Sequence, residues 1–373
     1  MKIAILSCSE PAKQFYQMLR KTSSPYEALY IVEEVSELWG TFYEQAEIIS
    51  VGKAVCLYQR NLIEKFVIVS MEERFNRIMY KILTMHKIPD NDILYADQED
   101  IHEFKNESIL FKYTERQEFD TIEFHVTDKC NLNCKHCSMF SGLVKESMLP
   151  DIRQYENDLK QIHSVFRSIK RFKLLGGEPL LNPELRQFIE VTRNIFPYTH
   201  ILLITNGLLI TSMNNELIDC IVKKNVEIVV SYYMPLNPVI DDIHRFLNSH
   251  HIRHRITPII TQFYKMYDLS GGQNADENFV ACGCKEGCTT LRDGKLMSCF
   301  VPSIFHIAAS AFHLAAENYN YIDLYQQDLS QTLIRETLMK KMDICKYCLV
   351  RGVATDWAQI DKNSIPQMQD WSI

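Results

Sequence analysis

From Thr121 to Thr261 the chain repeats one unit, a short apolar run followed by an amphipathic stretch. Strands are expected at Thr121–Val126, Arg171–Leu175, His200–Thr205, Glu227–Tyr232 and His254–Ile260. Helical patterns fall between them, over Asp151–Ser168, Pro183–Ile195, Glu216–Lys224 and Val239–Leu247. This alternation implies a parallel sheet, because parallel neighbours need a long crossover and a helix supplies it. The crossovers are expected to be right-handed, and the simplest arrangement is a partial α/β barrel. In such barrels the chemistry lies on the loops leaving the carboxyl ends of the strands.

The first of those loops holds Cys130, Cys134 and Cys137, a C-x3-C-x2-C run inside F-H-V-T-D-K-C-N-L-N-C-K-H-C-S-M-F. Three thiolates are one too few for a tetrahedral zinc site, and zinc pairs usually use C-x2-C or C-x4-C with a second knuckle. Iron–sulfur cubes take cysteine thiolates, normally four. Three ligands from one loop therefore suggest a cube with one iron left open. Half of a zinc site, or thiols packed for other reasons, are the competing readings.

The second loop, K-L-L-G-G-E-P-L from Lys173 to Leu180, ends a strand in two glycines, a carboxylate and a proline. Glycine pairs let a ligand approach backbone with no Cβ in the way. Asn182 offers a helix N-cap with Pro183 at the first helical position. Alone this is common turn punctuation. Its place, one strand after the cysteine loop, puts both loops on the same face.

Together the two loops resemble the radical S-adenosylmethionine (SAM) enzymes. The resemblance implies that Cys130, Cys134 and Cys137 ligate a [4Fe–4S] cluster whose fourth iron takes the amino and carboxylate groups of S-adenosylmethionine. It places Gly176, Gly177 and Glu178, with Pro179 closing the motif, at the methionine ammonium. His136 stands where the superfamily usually has an aromatic near the adenine. Thr205 and Asn206, in the T-N-G that ends the third strand, and Ser231 after the fourth also resemble cofactor-binding positions of these enzymes. The fold it implies is a partial (β/α)6 barrel.

A second cysteine group lies toward the C-terminus. C-T-T-L-R-D-G-K-L-M-S-C, Cys288 to Cys299, has Asp-Gly at its centre, a strong signal for a two-residue hairpin loop. With Asp293 and Gly294 as that loop, Arg292 pairs with Lys295, and counting outward sets Cys288 opposite Cys299. Directly opposed residues share a face, with Cβ atoms about 4.5–5.5 Å apart. A disulfide is the bland reading, but thiol-rich chains without a secretory context more often bind metal. Cys345 and Cys348 add a C-x2-C knuckle, so two pairs of thiolates can hold zinc or a second iron–sulfur cluster. The stretch from about 282 to 350 resembles the twitch-type auxiliary domain, a shortened SPASM extension, which implies one auxiliary [4Fe–4S] cluster. Cys282 and Cys284 also fit that family's looser spacing for the first ligand. With Cys288 as ligand, Cys282 or Cys284 becomes either a hydrogen donor to a substrate radical or a thiol lining the cluster pocket.

The remaining sequence sets the frame. A chain of 373 residues has length for two or three parts with sizeable cores. No apolar run approaches the roughly 18 residues of a membrane span, and M-K-I-A-I-L-S-C is too short for a signal peptide. A net charge of -7 with interspersed signs gives no polybasic footprint for nucleic acid. Twelve cysteines point to a reducing cytoplasm. Residues 1–112 alternate strands (Lys2–Leu6, Ala28–Val32, Ala46–Ser50, Phe66–Ser70) with helices over Pro11–Lys21 and Glu72–His86, a small parallel α/β layer. The layer resembles the Rossmann-like domains of surface-polysaccharide biosynthesis proteins. Its first turn, Ser7-Cys8-Ser9-Glu10, lacks the glycine fingerprint for dinucleotides, so a docking or structural module is at least as good a reading. Cys8, Cys56 and Cys220 read as packing residues.

The expected organisation is thus a Rossmann-like domain over 1–112, a connector over Glu115–Asp120 within a barrel block over 113–270, and an auxiliary iron–sulfur domain with a tail over 271–373. The resemblance implies reductive cleavage of S-adenosylmethionine, with a flavodoxin- or ferredoxin-type reductant, and hydrogen abstraction from a substrate. A sugar or nucleotide sugar is the expected substrate, for dehydrogenation or epimerisation. A ribosomal peptide is the alternative substrate, and a zinc- or cluster-stabilised binding protein the non-enzymatic alternative.

Overall fold

The structure, a computed structural model, describes all residues except 23, 70–72, 97–100, 102–109, 113–116, 146–148, 284–286, 316–318 and 362–363. Ser70, Glu72, the start of the expected connector and Cys284 therefore lie outside the described residues. The chain divides into two compact units, Met1–Asp120 and Thr121–Ile373.

The first unit contains β1 (Lys2–Leu6), α1 (Glu10–Lys21), β2 (Glu27–Val32), β3 (Phe42–Tyr43), β4 (Ala46–Ile49), α2 (Val51–Gln59), β5 (Lys65–Ile68), α3 (Glu73–Met85), β6 (Ile93–Ala96) and β7 (Leu110–Lys112). Its sheet runs β3-β4-β2-β1-β5-β6-β7. The inner five strands are parallel, and β3 and β7 are antiparallel edges. Counting only the parallel strands, the order is the doubly wound 3-2-1-4-5. Alternate residues feed two cores, Ile3 and Ile5 on one face and Ala4 and Leu6 on the other, as the period of two requires. The backbone of the turn after β1 is held by a side chain from the end of β2: Cys8 N donates to Glu33 Oε2 at 3.0 Å, and Ser7 has a φ of 101°. Helix α2 escapes a pattern reading because Gly52 and two valines give it little intrinsic propensity. Ser50 nonetheless caps it by accepting from Lys53 N. One consequence corrects an expectation: α2 turns Ala54 and Val55 inward, and leaves Cys56 exposed rather than packed.

The boundary falls within β8 (Glu118–Thr127), which starts in the segment expected to be a connector and supplies the first strand of the second unit from Thr121 on. Then follow α4 (Ile152–Val165), β9 (Ser168–Gly176), α5 (Leu185–Ile195), β10 (His200–Thr205), α6 (Asn215–Lys223), β11 (Glu227–Val230), α7 (Ile240–Ser249), β12 (His254–Ile256) and β13 (Gln262–Tyr267). The C-terminal part adds α8 (Ala275–Ala281), β14 (Thr290–Arg292), β15 (Lys295–Met297), α9 (Val301–Phe312), β16 (Ile322–Asp323), α10 (Gln331–Leu338) and β17 (Cys348–Asp356). The sheet order is β12-β11-β10-β9-β8-β14-β15-β16. Strands β9 to β12 are consecutive parallel neighbours, as the alternation predicts, and β8 lies beside β9. Strand β12 stops at Ile256 because Pro258 has no N–H to donate. The next strand, β13, leaves this sheet and pairs antiparallel with β17. The hairpin β14–β15 extends the sheet on its other edge, with β14 parallel to β8.

The two faces of the β8–β12 sheet differ in chemistry. On one, Phe124 meets Tyr155 of α4 at 4.3 Å and Phe188 of α5 at 5.7 Å between ring centroids. The other is polar: Arg171 Nε donates to Thr121 Oγ1, Lys173 Nζ pairs with Glu123 Oε1 at 2.7 Å, and Glu227 gathers His200, Arg253 and Arg255. Parallel sheets are ordinarily apolar on both faces.

Candidate functional site

At the carboxyl end of the sheet, the loop after β8 and the ends of β9, β10 and β11 enclose a cavity of 320 Å³. Cys130, Cys134, Cys137 and His136 line it from the first loop, Gly176 and Gly177 from the second, Thr205 and Asn206 from the third, and Ser231 from the fourth. Residues up to 101 positions apart thus meet at one wall because consecutive parallel strands bring their ends together.

The glycines have a second reason to be there. A Cβ on Gly176 would lie 2.0 Å from Thr127 O, and one on Gly177 would lie 2.2 Å from Lys129 O. This close approach lets Gly177 N donate to Thr127 O at 2.8 Å and Glu178 N to Lys129 O at 2.9 Å. The second loop therefore clamps the first at the threshold of the cysteines.

Glu178 lies behind the cavity wall, fully buried, with its carboxylate turned inward. It accepts from Leu180 N at 3.1 Å, Thr205 Oγ1 at 2.7 Å and Asn206 N at 2.8 Å. Burial pushes its carboxyl above the ordinary value against those donors. In this geometry Glu178 fixes the T-N-G turn, and buried Pro179 starts the 3-10 turn Pro179–Leu181 beside it. Asn206 in turn holds the cysteine loop: its Nδ2 donates to Asn131 Oδ1 at 2.6 Å and stands 3.6 Å from Cys130 Sγ.

Burial pushes the Cys130 thiol up to about 11 and the Cys134 thiol up to about 12, and the neighbouring Cys137 adds to both. A bound metal reverses this, since a coordinating thiol is deprotonated outright. Three soft donors around one cavity suit a cluster, and among the described residues no three His, Cys, Asp or Glu are placed to hold a single metal ion. His136 adopts φ 58°. Burial lowers its imidazole below the ordinary value, and Nδ1 is buried without a partner.

Beside the cysteine loop, Asp128 receives two hydrogen bonds from Arg292, at 3.1 and 2.7 Å. Burial alone would raise its carboxyl, but His125 and Arg292 hold it well below the carboxylate range. Both residues also line a second cavity of 640 Å³ shared with His306 and His313.

Four C-terminal cysteines border one hydrophobic core. The β14–β15 register pairs Arg292 with Lys295 and Thr290 with Met297, so the hairpin expectation holds. Asp293 and Gly294 have φ of 49° and 74°, the two positive values this turn needs. Cys288, Cys299, Cys345 and Cys348 all pack against the core of Tyr267, Phe300, Phe305 and Tyr347. Cys282 ends α8. Asn278 of that helix donates through Nδ2 to Cys345 O at 2.9 Å and Cys348 O at 2.6 Å. Burial raises the Cys345 thiol, and the charge of nearby Cys282 adds to the rise. Cys282 thus lies near Cys345. Among the described residues no disulfide joins Cys288 to Cys299.

Sequence reasoning passes over several contributors. Tyr233, Phe263 and Met266 line the cysteine cavity, and the chain end wraps the cysteine loop. Lys135 N donates to Ala358 O at 2.8 Å, Ile360 N to Asn133 O at 2.7 Å, and His136 N to Asp370 O at 2.7 Å. No local pattern announces contacts between residues more than two hundred positions apart.

Residues 124–265 match the radical SAM superfamily. Among curated relatives, the GTP 3',8-cyclase of Aliarcobacter butzleri (strain RM4018) is 33% identical over 109 residues, 28% of this chain and 32% of that protein. The GTP 3',8-cyclase of Clostridium botulinum (strain Hall / ATCC 3502 / NCTC 13319 / Type A) is 32% identical over 97 residues, 26% of this chain and 30% of that protein. The chain thus spans about a third of the length of these curated relatives. A crystal structure of BtrN in complex with AdoMet and 2-DOIA is similar over 62% of this chain and 92% of that one, at 17% identity and a TM-score of 0.41.

Proposed function

We propose that this chain, whose residues 124–265 match the radical SAM superfamily, is a radical SAM enzyme acting on a sugar or nucleotide sugar by dehydrogenation or epimerisation. The observation behind the reading is the single cavity that gathers Cys130, Cys134 and Cys137 with Gly176, Gly177, Thr205, Asn206 and Ser231. The three thiols would hold a [4Fe–4S] cluster, and the glycine and T-N-G backbones and Ser231 would hold S-adenosylmethionine beside it. When bound, these groups supply a reductively generated, hydrogen-abstracting radical, and the protein supplies orientation and exclusion of side reactions. Here orientation comes from Glu178 bracing Thr205 and Asn206, and from the Gly177 clamp on the cysteine loop.

The polar face of the β8–β12 sheet supports a hydrophilic substrate. Buried His125, whose ring nitrogens have no hydrogen-bond partner, and the Lys173–Glu123 pair give this face polar groups suited to hydroxyl-bearing ligands. Four thiols on one core, Cys288, Cys299, Cys345 and Cys348, support an auxiliary cluster in the block 271–373, with Cys282 lining its pocket. In this reading residues 1–112 serve as a separate Rossmann-like module and 113–270 form the catalytic block.

Iron and sulfide content of anaerobically reconstituted protein tests the reading. We expect about eight irons per chain, falling to about four in a Cys130/Cys134/Cys137 triple alanine variant. Little iron with stoichiometric zinc would leave a zinc-stabilised binding protein instead. Loaded enzyme is then offered sugar nucleotides, and turnover of S-adenosylmethionine to methionine dependent on one of them is the expected result.

A further inference from the structure

The 640 Å³ cavity beside the cysteine loop sets cations against an apolar wall. On α9, His306, Ser310 and His313 recur at helical spacing and line it in one row. Leu143, Val144, Ile307 and Phe312, all half-buried, supply apolar surface. Lys145 and Arg292 complete the charged part of the lining. A neighbouring cavity of 490 Å³ shares Arg292 and His306 and adds Lys295. The two cavities therefore meet at Arg292 and His306. Each falls within the range of small-molecule pockets, about 300–1,000 Å³.

Charge decides the sign of the ligand. Lys145, Arg292 and Lys295 outnumber the lining carboxylates, Asp128 and Asp293, although the whole chain carries a net charge of -7. Asp128 accepts two hydrogen bonds from Arg292, and the remaining guanidinium N–H groups are left for other acceptors. Lys145 is exposed and has no ion pair among the described residues. Arginine with lysine suits phosphate oxygens. The helix then fixes the orientation. Its C-terminal end, at Phe312 and His313, carries partial negative charge and disfavours an anion. Phosphates therefore belong at the Arg292–His306 junction, and an uncharged planar ring belongs against Phe312. Consecutive residues, Ser141 and Gly142, line the cysteine cavity and this one, so a ligand held here lies against the exit of the cysteine loop.

We propose that the paired cavities bind the nucleoside diphosphate end of the substrate, with the diphosphate at Lys145, Arg292, Lys295 and His306 and the nucleoside against Phe312. The proposal rests on the sugar reading above and deepens it, selecting a nucleotide sugar over a free sugar.

The test is calorimetric titration of the full, reconstituted chain with inorganic pyrophosphate, UDP, dTDP, GDP, CDP and ADP. We expect pyrophosphate to bind and at least one nucleoside diphosphate to bind about tenfold tighter. Lys145→Ala/His306→Ala should weaken both by about tenfold or more, the worth of one charged hydrogen bond. No pyrophosphate binding, no nucleoside diphosphate tighter than pyrophosphate, or a double variant that binds like wild type overturns the proposal. Wild type alone gives a second measurement. Diethyl pyrocarbonate labels exposed histidines, and peptide mass spectrometry reads His306 and His313 separately. Saturation with the tightest of the six probes should protect His306, and unchanged labelling overturns the proposal even where the double variant fails to fold. Iron content separates the two readings. Iron-poor protein that still binds nucleotide sinks the enzyme reading and the substrate role with it, whereas iron-loaded protein that binds none overturns this site alone.

Discussion

Replacing Gly177 with alanine would put a Cβ 2.2 Å from Lys129 O, 2.5 Å from Lys129 C and 2.6 Å from Asp128 O. All three are backbone atoms of the cysteine loop, so no rotamer can relieve the clash. Carbon contacts become favourable only near about 3.5 Å, so the loop must retreat by roughly 1 Å. That retreat breaks the hydrogen bonds Gly177 N to Thr127 O and Glu178 N to Lys129 O. Overpacking costs about 1–3 kcal/mol, and two lost backbone hydrogen bonds add about 1 kcal/mol each. The expected loss is about 3–5 kcal/mol, which lowers the melting temperature by about 10 °C in a unit of this size. Iron content should fall with it, because the displaced residues lead directly into Cys130. Gly142→Ala is the matched control. Its Cβ meets Asn133 Oδ1 at 2.3 Å, a side-chain atom without a hydrogen-bond partner that can swing away. Thermal melts and iron analysis of both variants decide the matter. A Gly177→Ala protein that melts within about 2 °C of wild type and loads full iron would refute the clamp.

Two further outcomes follow from buried charges. Arg292→Leu leaves Asp128 desolvated with only His125 nearby, and should cost about 2–3 kcal/mol in denaturant unfolding, below the 3–5 kcal/mol of a fully buried pair. Adding Asp128→Asn should recover part of that loss, and a double variant no more stable than Arg292→Leu would argue against a paired charge. Asp158, fully buried, accepts from Gly294 N, Tyr325 and Gln154, yet burial raises its carboxyl above the ordinary value. A raised carboxyl contributes stability that is fully present below its unfolded pKa, about 3.9, and lost as pH rises through the folded value. Asp158→Asn does not titrate, so the stability advantage of wild type should shrink as pH rises above about 4. A gap that widens with pH would show that its hydrogen bonds, not its burial, dominate.

Much of the site is legible in the sequence because its parts are local. The C-x3-C-x2-C run, the G-G-E-P turn and the T-N-G turn each follow a recognisable strand, and consecutive parallel strands leave those turns side by side. Likewise Asp293-Gly294 dictates the hairpin register through two positive φ angles. What stays hidden depends on distant partners. The reason Gly176 and Gly177 must be glycine is the backbone of Thr127–Lys129, seen only once β8 and β9 are paired. Glu178 resembles a ligand-facing carboxylate in sequence, and the structure turns it into a brace.

The sequence by itself determines the chemistry available, namely which thiols, turns and strands exist, because these follow from residue type and spacing within a few positions. Only the tertiary structure decides how that chemistry is held. The polar sheet face arises from charges on five different strands meeting in register. The pairing of Asn133 with Ile360 spans 227 residues, closing a loop for which no local pattern selects. Such contacts are set by global packing, so their partners become visible only when the chain is folded.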